Sequence, residues 1–301
     1  MTAEYDSEIG LHYDRMAEEY GLSPQSTMAD DIIRSAETAM VRAVVESVAR
    51  PRQAEQAGAG QRAATDNFPL IVDAGCGNGY TLKTLASEFD TCSYIGIEFN
   101  GKLRELAKQQ VSGMAHVRVM PGDLRVRASL DVADGQADVL LCQRVLINLL
   151  AERDARTALD NLVSLVRPGG KLLFIESFAS GLAHLNDARA EFGLEPLGPA
   201  HHNRYLEDDF FTAHPKLTRH ALPGGKVQCN LLSTHYYVTR VLHSALTEAR
   251  KSEFKRNSHF VKFLSAALPP AVGDYAPLQF HLFVKKAASD TRGSGRARGA
   301  E

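Results

Sequence analysis

The chain has 301 residues, of which 44% are hydrophobic and 23% charged, enough apolar material for one large domain and too much for a disordered chain. A net charge of -2 argues against a protein built mainly to neutralise nucleic-acid backbones. No apolar run reaches the ~18 residues that read as a membrane span. Residues 1–10 are polar and acidic and lack the pattern of a secretory leader.

Along the chain, residues 1–50 read as a helical segment. Apolar positions at helical spacing (Ile33, Met40, Val41, Val44, Val45, Val48) predict a helix over 28–50. Residues 51–67 are polar, Gly/Ala-rich and aperiodic, and read as a mobile connection. A regular alternation follows. Strands are expected at 69–74, 93–98, 116–120, 138–142 and 171–176, with helices at 80–89, 103–111 and 151–166 between them. Strands separated by helices of this length imply right-handed crossovers and a parallel sheet covered on both faces. After residue 176 the rhythm changes. A helix is expected at 180–193, a short helix at 206–214, a hairpin of 217–222 with 227–232, and a last alternating strand at 279–285. The domain thus spans 68–287, with 180–278 as an insertion carrying acceptor-site elements, and 288–301 reads as a disordered tail.

The four cysteines, Cys76, Cys92, Cys142 and Cys229, form no CxxC pair. That points to a reduced, cytoplasmic setting rather than a disulfide scaffold. The strongest local signal is VDAGCGNGY at 72–80. Gly75, Gly77 and Gly79 follow a predicted strand and open a predicted helix, so the backbone can turn sharply and approach a ligand. A dinucleotide fingerprint would place glycine where this chain has Tyr80, which weakens a nicotinamide-cofactor reading. Glu98 ends the second strand, 19 residues after Gly79, where a carboxylate can accept both hydroxyls of a ribose. Asp123 follows the third strand and can accept from an adenine amino group. Ligands of open α/β sheets bind beyond the carboxyl ends of the strands, so the three features converge on one crevice.

Taken together, VDAGCGNGY, IGIEFN, PGDLR and LVRPGGKLLFIE resemble the class I S-adenosylmethionine-dependent methyltransferases. HYDRMAEEYG at 12–21 looks like the helix that often precedes the fold in its small-molecule members. The resemblance covers roughly 12–180 and the strand at 279–285. It implies a Rossmann-like, mostly parallel seven-stranded sheet with helices on both faces and an antiparallel C-terminal strand. The N-terminal helices and the insertion would then form a cap. It also implies that Asp73, Gly75, Cys76, Gly77 and Gly79 border the methionine part of S-adenosylmethionine. Glu98 would take the ribose, Asp123 and Leu124 the adenine, and Gln143 and Arg144 would lie near the sulfonium.

Methyl transfer from a sulfonium needs no metal and no covalent nucleophile, only alignment of an acceptor lone pair and exclusion of water. A general base helps acceptors that carry an ionisable proton. His202, His235 and Arg144 are the expected catalytic groups. Asn148, His201, Asn203, Arg204, Tyr205, Tyr237 and Arg240 are the expected acceptor contacts. The arginines among them suit a carboxylate or phosphate. The histidine pair at 201–202 has no carboxylate or cysteine at ligand spacing, so no metal is expected.

The expected function is methylation of a small polar acceptor through oxygen or nitrogen, such as a saccharide or secondary metabolite. A homodimer is compatible with it. Two alternatives remain open: an RNA-modifying methyltransferase and a non-catalytic partner subunit that retains cofactor binding. Against the former, the segment after the fourth strand reads CQRV, without the Pro-Pro-aromatic element of base-amine methylation.

Overall fold

The structure, a computed structural model, describes residues 2–58, 68–225 and 229–287. The expected tail at 288–301, residues 59–67 of the connection and Val227 and Gln228 of the second hairpin arm lie outside the described residues.

Two helices come first, α1 (Thr2–Tyr20) and α2 (Asp31–Gly58). Asp30 starts α2: its Oδ1 accepts from the amides of Ile32 and Ile33, both at 3.1 Å. Its helix runs past residue 50 to Gly58, into the segment expected as a loose connection. Arg52–Ala57 is made of good helix formers, so the backbone continues where side-chain periodicity fades.

The alternating core follows: β1 (Leu70–Ala74), α3 (Tyr80–Glu88), β2 (Ser93–Glu98), α4 (Gly101–Gln110), β3 (Val117–Pro121), β4 (Ala137–Gln143), α5 (Glu152–Leu165) and β5 (Val166–Ser177). Then come α6 (Ala179–Ala190), β6 (Leu217–His220), α7 (Ser233–Tyr237), a π-helical turn at Val238–His243, α8 (Ser244–Ala249), α9 (His259–Ala267) and β7 (Leu278–Lys285). The seven strands run in the order β3-β2-β1-β4-β5-β7-β6. All neighbours are parallel except β7, which is antiparallel to β5 and to β6. The expected sheet and its antiparallel last strand are therefore present.

Strand alternation divides the core into two layers. Leu140, Cys142, Leu172 and Phe174 face α5, packing with Ala155, Leu159, Leu162 and Val163. Val139, Leu141, Leu173 and Ile175 face the other way, against Val41, Val44 and Val45 of α2 and Leu82 and Leu85 of α3. The N-terminal helix pair is thus part of the core, since α2 covers one face of the sheet.

Two expectations in the insertion fail. Residues 206–214 form turns, not a helix: Leu206 makes a parallel bridge with Phe178, and Phe210 and Phe211 are both buried. A helix would separate consecutive side chains by about 100°; the turns let both rings enter one core. The hairpin of 217–222 with 227–232 is replaced by pairing of β6 with β7, Leu217 opposite Lys285 and His220 opposite Leu282.

Phe174 lies at the centre of this packing, stacked on Phe211 with centroids 4.3 Å apart and fully buried. Phe174→Ala should cost about 3–5 kcal/mol of stability, read as a shift of the urea-unfolding midpoint with little change in slope.

Candidate functional site

The turn from β1 to α3 is where backbone conformation and sequence meet most tightly. Gly77 has φ +57° and Gly79 φ +79°, values that favour glycine. A Cβ on Gly77 would lie 2.9 Å from Thr27 Cγ2, and one on Gly79 2.9 Å from Ala107 Cα. The loop is squeezed between the segment joining α1 to α2 and the flank of α4. Asn78 ties it to that same joining segment: its Nδ2 donates to the carbonyls of Gly21 and Ser23, both at 2.9 Å.

Three strand ends converge beside this loop. Glu98, buried at the end of β2, accepts from the amide of Gly77 through Oε2 and from the amide of Asn100 through Oε1, both at 2.8 Å. Burial raises its pKa, and those hydrogen bonds oppose the rise. Asp73 in β1 is 1% exposed, and neither carboxylate oxygen has a hydrogen-bond partner. Burial, with Glu98's charge adding and Arg34's opposing, pushes it up to about 7. Asp123 after β3 behaves differently. Although burial pushes it upward, its hydrogen bonds from Arg125 hold it below the ordinary value. The closest of these is 2.7 Å.

A single cleft is lined by Asp73, Gly75, Cys76, Gly77, Glu98, Asp123, Leu124, Gln143, Arg144 and Asn148. All of these were expected from the sequence. Gly79 stands behind them as the N-cap of α3. Burial raises the thiols of Cys76 and Cys142 well above their ordinary value, so both stay protonated and neither is a nucleophile.

Arg144 lines the cleft but is not a free catalytic group. It has a positive φ of 56°, ion-pairs with the fully buried Glu37 of α2 and donates to the carbonyl of Thr27 at 3.2 Å. Burial lowers it to about 10, with Arg34 adding, so it remains cationic. Its place is to lock the strand-β4 loop to the N-terminal helices. Asn148 donates to the Tyr13 hydroxyl at 2.7 Å and to the Arg144 carbonyl at 3.0 Å.

The expected histidines do not line this cleft. His235 is buried with both ring nitrogens engaged, one 2.9 Å from Ser265 Oγ and the other 3.0 Å from Asp30 Oδ2. It braces the start of α2 against α9. His202 stacks on His12 of α1 at 4.2 Å and meets His201 edge-on at 5.0 Å. Burial, then the charges of His12 and His201, lower His202 to about 4. Tyr237 packs on Tyr275 at 4.9 Å. Asn203, Arg204 and Tyr205 line a second hollow against α6, and Arg204 pairs with Glu152 at 3.0 Å. Arg240 is outside both linings. Among the described residues no group of three His, Cys, Asp or Glu is arranged to hold a metal.

The structure adds residues that sequence patterns did not single out. Tyr13, Thr27 and Arg34 line the cleft from the N-terminal segment. Arg34 donates to Thr27 Oγ1 at 2.6 Å and lies 3.5 Å from Glu37. Glu176, fully buried at the end of β5, accepts from the amides of Val145, Leu146 and Ile147 at 2.9, 3.1 and 3.3 Å. It holds the loop that carries Arg144 and Asn148. A charged residue inside an otherwise apolar strand, KLLFIES, was the available signal for it.

The chain is similar to several known proteins. A family model described as a methyltransferase domain matches residues 71–170. The ubiquinone biosynthesis O-methyltransferase of Coxiella burnetii (strain Dugway 5J108-111) is 24% identical over 173 residues, 56% of this chain and 67% of that protein. Phosphoethanolamine N-methyltransferase 1 of Haemonchus contortus, solved with phosphoethanolamine and S-adenosylhomocysteine, has a TM-score of 0.54 at 15% identity. That likeness covers 100% of this chain and 52% of that one. An amino pentose methyltransferase of Micromonospora echinaspora, solved with S-adenosylmethionine bound, is 26% identical with a TM-score of 0.34, over 46% of this chain and 49% of that one. The chain therefore spans about half the length of these two solved chains.

An open α/β sheet with a cleft at the carboxyl ends of its strands, and a glycine turn between two buried acids, is an arrangement that suits a nucleotide-type ligand. Residues 71–170 match the methyltransferase-domain family, and the seven-stranded sheet with its antiparallel last strand is the fold that the resemblance to the class I S-adenosylmethionine-dependent methyltransferases implies. Among the described residues no helix is long and apolar enough to cross a membrane.

The orphaned carboxylate of Asp73 gives a direct stability test. Its pKa is raised in the folded protein, so the folded state holds a proton that the unfolded chain releases between about pH 4 and pH 7. Asp73's contribution to stability therefore falls across that window and levels above it. In the ligand-free protein Asp73→Asn should gain stability relative to wild type between pH 4 and pH 7, by on the order of 2–4 kcal/mol, measured by denaturant unfolding at each pH.

Proposed function

We propose that the protein methylates a small polar acceptor at oxygen or nitrogen, by direct transfer in the cleft between the glycine turn and α1. The observation that carries this is the pair of buried carboxylates, Asp73 without any hydrogen-bond partner and Glu98 bound to the turn. An anionic cleft floor of this kind suits a cationic ligand, and the cofactor carries both a sulfonium and an ammonium charge.

In this reading the Asp73 carboxylate takes the ammonium group, whose charge offsets the penalty of burying the acid. Arg34, on the same wall, takes the carboxylate of the methionine part. Glu98 keeps a free lone pair on each oxygen for the ribose hydroxyls, since each already accepts one backbone amide. Asp123 offers its remaining acceptor capacity to the adenine amino group, and Leu124 packs on the ring. Gln143 faces the reacting centre from the end of β4.

When bound, the cofactor supplies an electrophilic methyl group on sulfur. Held by Asp73, Arg34 and Glu98, it would pass that methyl to an acceptor lone pair, and sulfur would keep the electron pair of the bond given up. The acceptor's proton, where it has one, goes to solvent or to a base. The protein's contribution is alignment and exclusion of water. Tyr13 and Asn148 are placed for alignment: both line the cleft, and their hydrogen bond leaves the tyrosine proton free to point at an acceptor atom. His202 and His235 are set back, so the reaction fits best an acceptor whose nucleophilic atom is neutral or loses its proton to water. The curated relative's name, an O-methyltransferase of ubiquinone biosynthesis, supports a small acceptor.

S-adenosylhomocysteine release should be measured with S-adenosylmethionine and a panel of amines, phenols and amino sugars. Turnover should appear with small acceptors, and Tyr13→Phe, which removes one aligning hydrogen bond, should lower kcat up to roughly tenfold with cofactor affinity nearly unchanged. Turnover only with RNA, lost on adding salt, would contradict the reading.

A further inference from the structure

One apolar face of the fold has no cover among the described residues. Helix α9, HFVKFLSAA, is apolar on both sides. Its inner side carries Val261, fully buried, and Ser265, whose hydroxyl meets the His235 ring at 2.9 Å. Its outer side carries Phe260 and Phe263, three residues apart and therefore neighbours on one face. Phe263 is 71% exposed. The face extends beyond the helix. Phe254 and Phe260 both lie against the ring of His243, with centroids 5.0 and 5.7 Å away, and each is exposed on its other side. Leu268 and Val272, just after the helix, are exposed as well. A helix that is apolar all round is normally buried, and an uncovered apolar patch rimmed by polar groups marks an interaction surface.

The rim is basic. Residues 246–268 carry Arg250, Lys251, Lys255, Arg256 and Lys262 against Glu248 and Glu253, in a chain whose net charge is -2. All of these charged side chains are exposed. Lys262 pairs with Asp31 at 2.7 Å, and Lys255 lies 3.9 Å from Glu253. Among the described residues, Arg250, Lys251 and Arg256 have no carboxylate partner. Lys255 and Arg256 adjoin Phe254 in the chain. A turn closed by the Ser258 amide on the Lys255 carbonyl at 3.1 Å leads from them into α9, where Ser258 caps the helix through the amide of Val261 at 3.2 Å. The cations and the phenylalanine rings thus belong to one surface.

Charge selects what can cover it. A second copy meeting this face about a twofold axis would set these cations against their own equivalents, which is repulsive. Neither the cleft nor the second hollow includes a residue of 246–268, so the face is no wall of either cavity. An anionic bilayer complements both features. Phenylalanine rings enter the headgroup boundary while lysine and arginine stay among the lipid phosphates, each cation adding to the attraction. Binding of this kind needs no spanning segment.

We propose that α9 and the loop of residues 250–258 form a peripheral docking surface for an anionic lipid bilayer. The surface is fastened next to the cleft. Asn257 donates to the Ala29 carbonyl at 3.0 Å and accepts from the Asp31 amide at 3.2 Å, and Thr27, two residues before Ala29, lines the cleft. The inference does not depend on methyl transfer, because vesicle binding is measured without a reaction.

The test sediments the full chain with vesicles of phosphatidylcholine alone and of equimolar phosphatidylcholine and phosphatidylglycerol, at low and at high salt. Wild type should bind the mixed vesicles at low salt, release them in part at high salt, and bind phosphatidylcholine alone only weakly. Phe263→Ser should weaken binding about tenfold or more, and Arg256→Glu about tenfold. Phe68→Ser, at an exposed phenylalanine before β1, should bind as wild type does. S-adenosylhomocysteine affinity and the circular dichroism spectrum should be unchanged in each. If Phe263→Ser alters the spectrum, Lys255→Glu and Arg256→Glu carry the same comparison. No binding to the mixed vesicles, equal binding to both kinds, or equal binding by wild type and these face variants overturns the surface. So does a chain that is dimeric by sedimentation velocity and becomes monomeric with Phe263→Ser, since a second copy would then occupy the face.

Discussion

The carboxylate of Glu98 is the constraint on which the site depends. It ends β2, yet it holds the turn that leaves β1, through the amide of Gly77, and the start of α4, through the amide of Asn100. Two adjacent parallel strands are thereby joined at their carboxyl ends by one side chain. The glycine turn cannot relax outward, because Thr27 and Ala107 stand where a Cβ would go. Asp73 is trapped beneath it with no partner of its own. A buried, unsatisfied acid is expensive in a resting protein, and in the proposed reading a cationic ligand compensates for it.

The same logic extends to the cap. The proposed transfer would require little chemistry from side chains and much positioning, and the positioning contacts here are ion pairs and hydrogen bonds that cross between segments. Glu37 of α2 binds Arg144 at the end of β4 and lies beside Arg34. Glu176 of β5 gathers three successive amides of the following loop. Asp30 and His235 connect the start of α2 to the insertion. The N-terminal helices, the strand-end loops and the insertion are therefore tied to one another by named side chains.

Much of this was legible in the sequence where local rules govern. The strands of the alternating core were readable because buried parallel strands are short apolar runs. The wall of the cleft was readable because its glycine turn and its acids at strand ends are local features of the sequence. The acceptor half was less legible because its contacts are long-range. Nothing near His235 in sequence announces that Asp30 and Ser265 will occupy both ring nitrogens. Nothing near Arg144 reveals that Glu37 lies opposite. The adjacent Phe210 and Phe211 looked helical locally, yet the core needed both rings on one side. Tyr13 and Arg34 were hidden for the same reason: they reach the cleft only once α1 and α2 have folded over it.

The most direct test of the central claim is calorimetric titration of S-adenosylhomocysteine into the wild-type protein and into Glu98→Ala, with adenosine as competitor. One saturable site per chain, displaced by adenosine and weakened at least tenfold by Glu98→Ala, is the predicted result. No heat of binding, or equal affinity in the two proteins, would contradict the account.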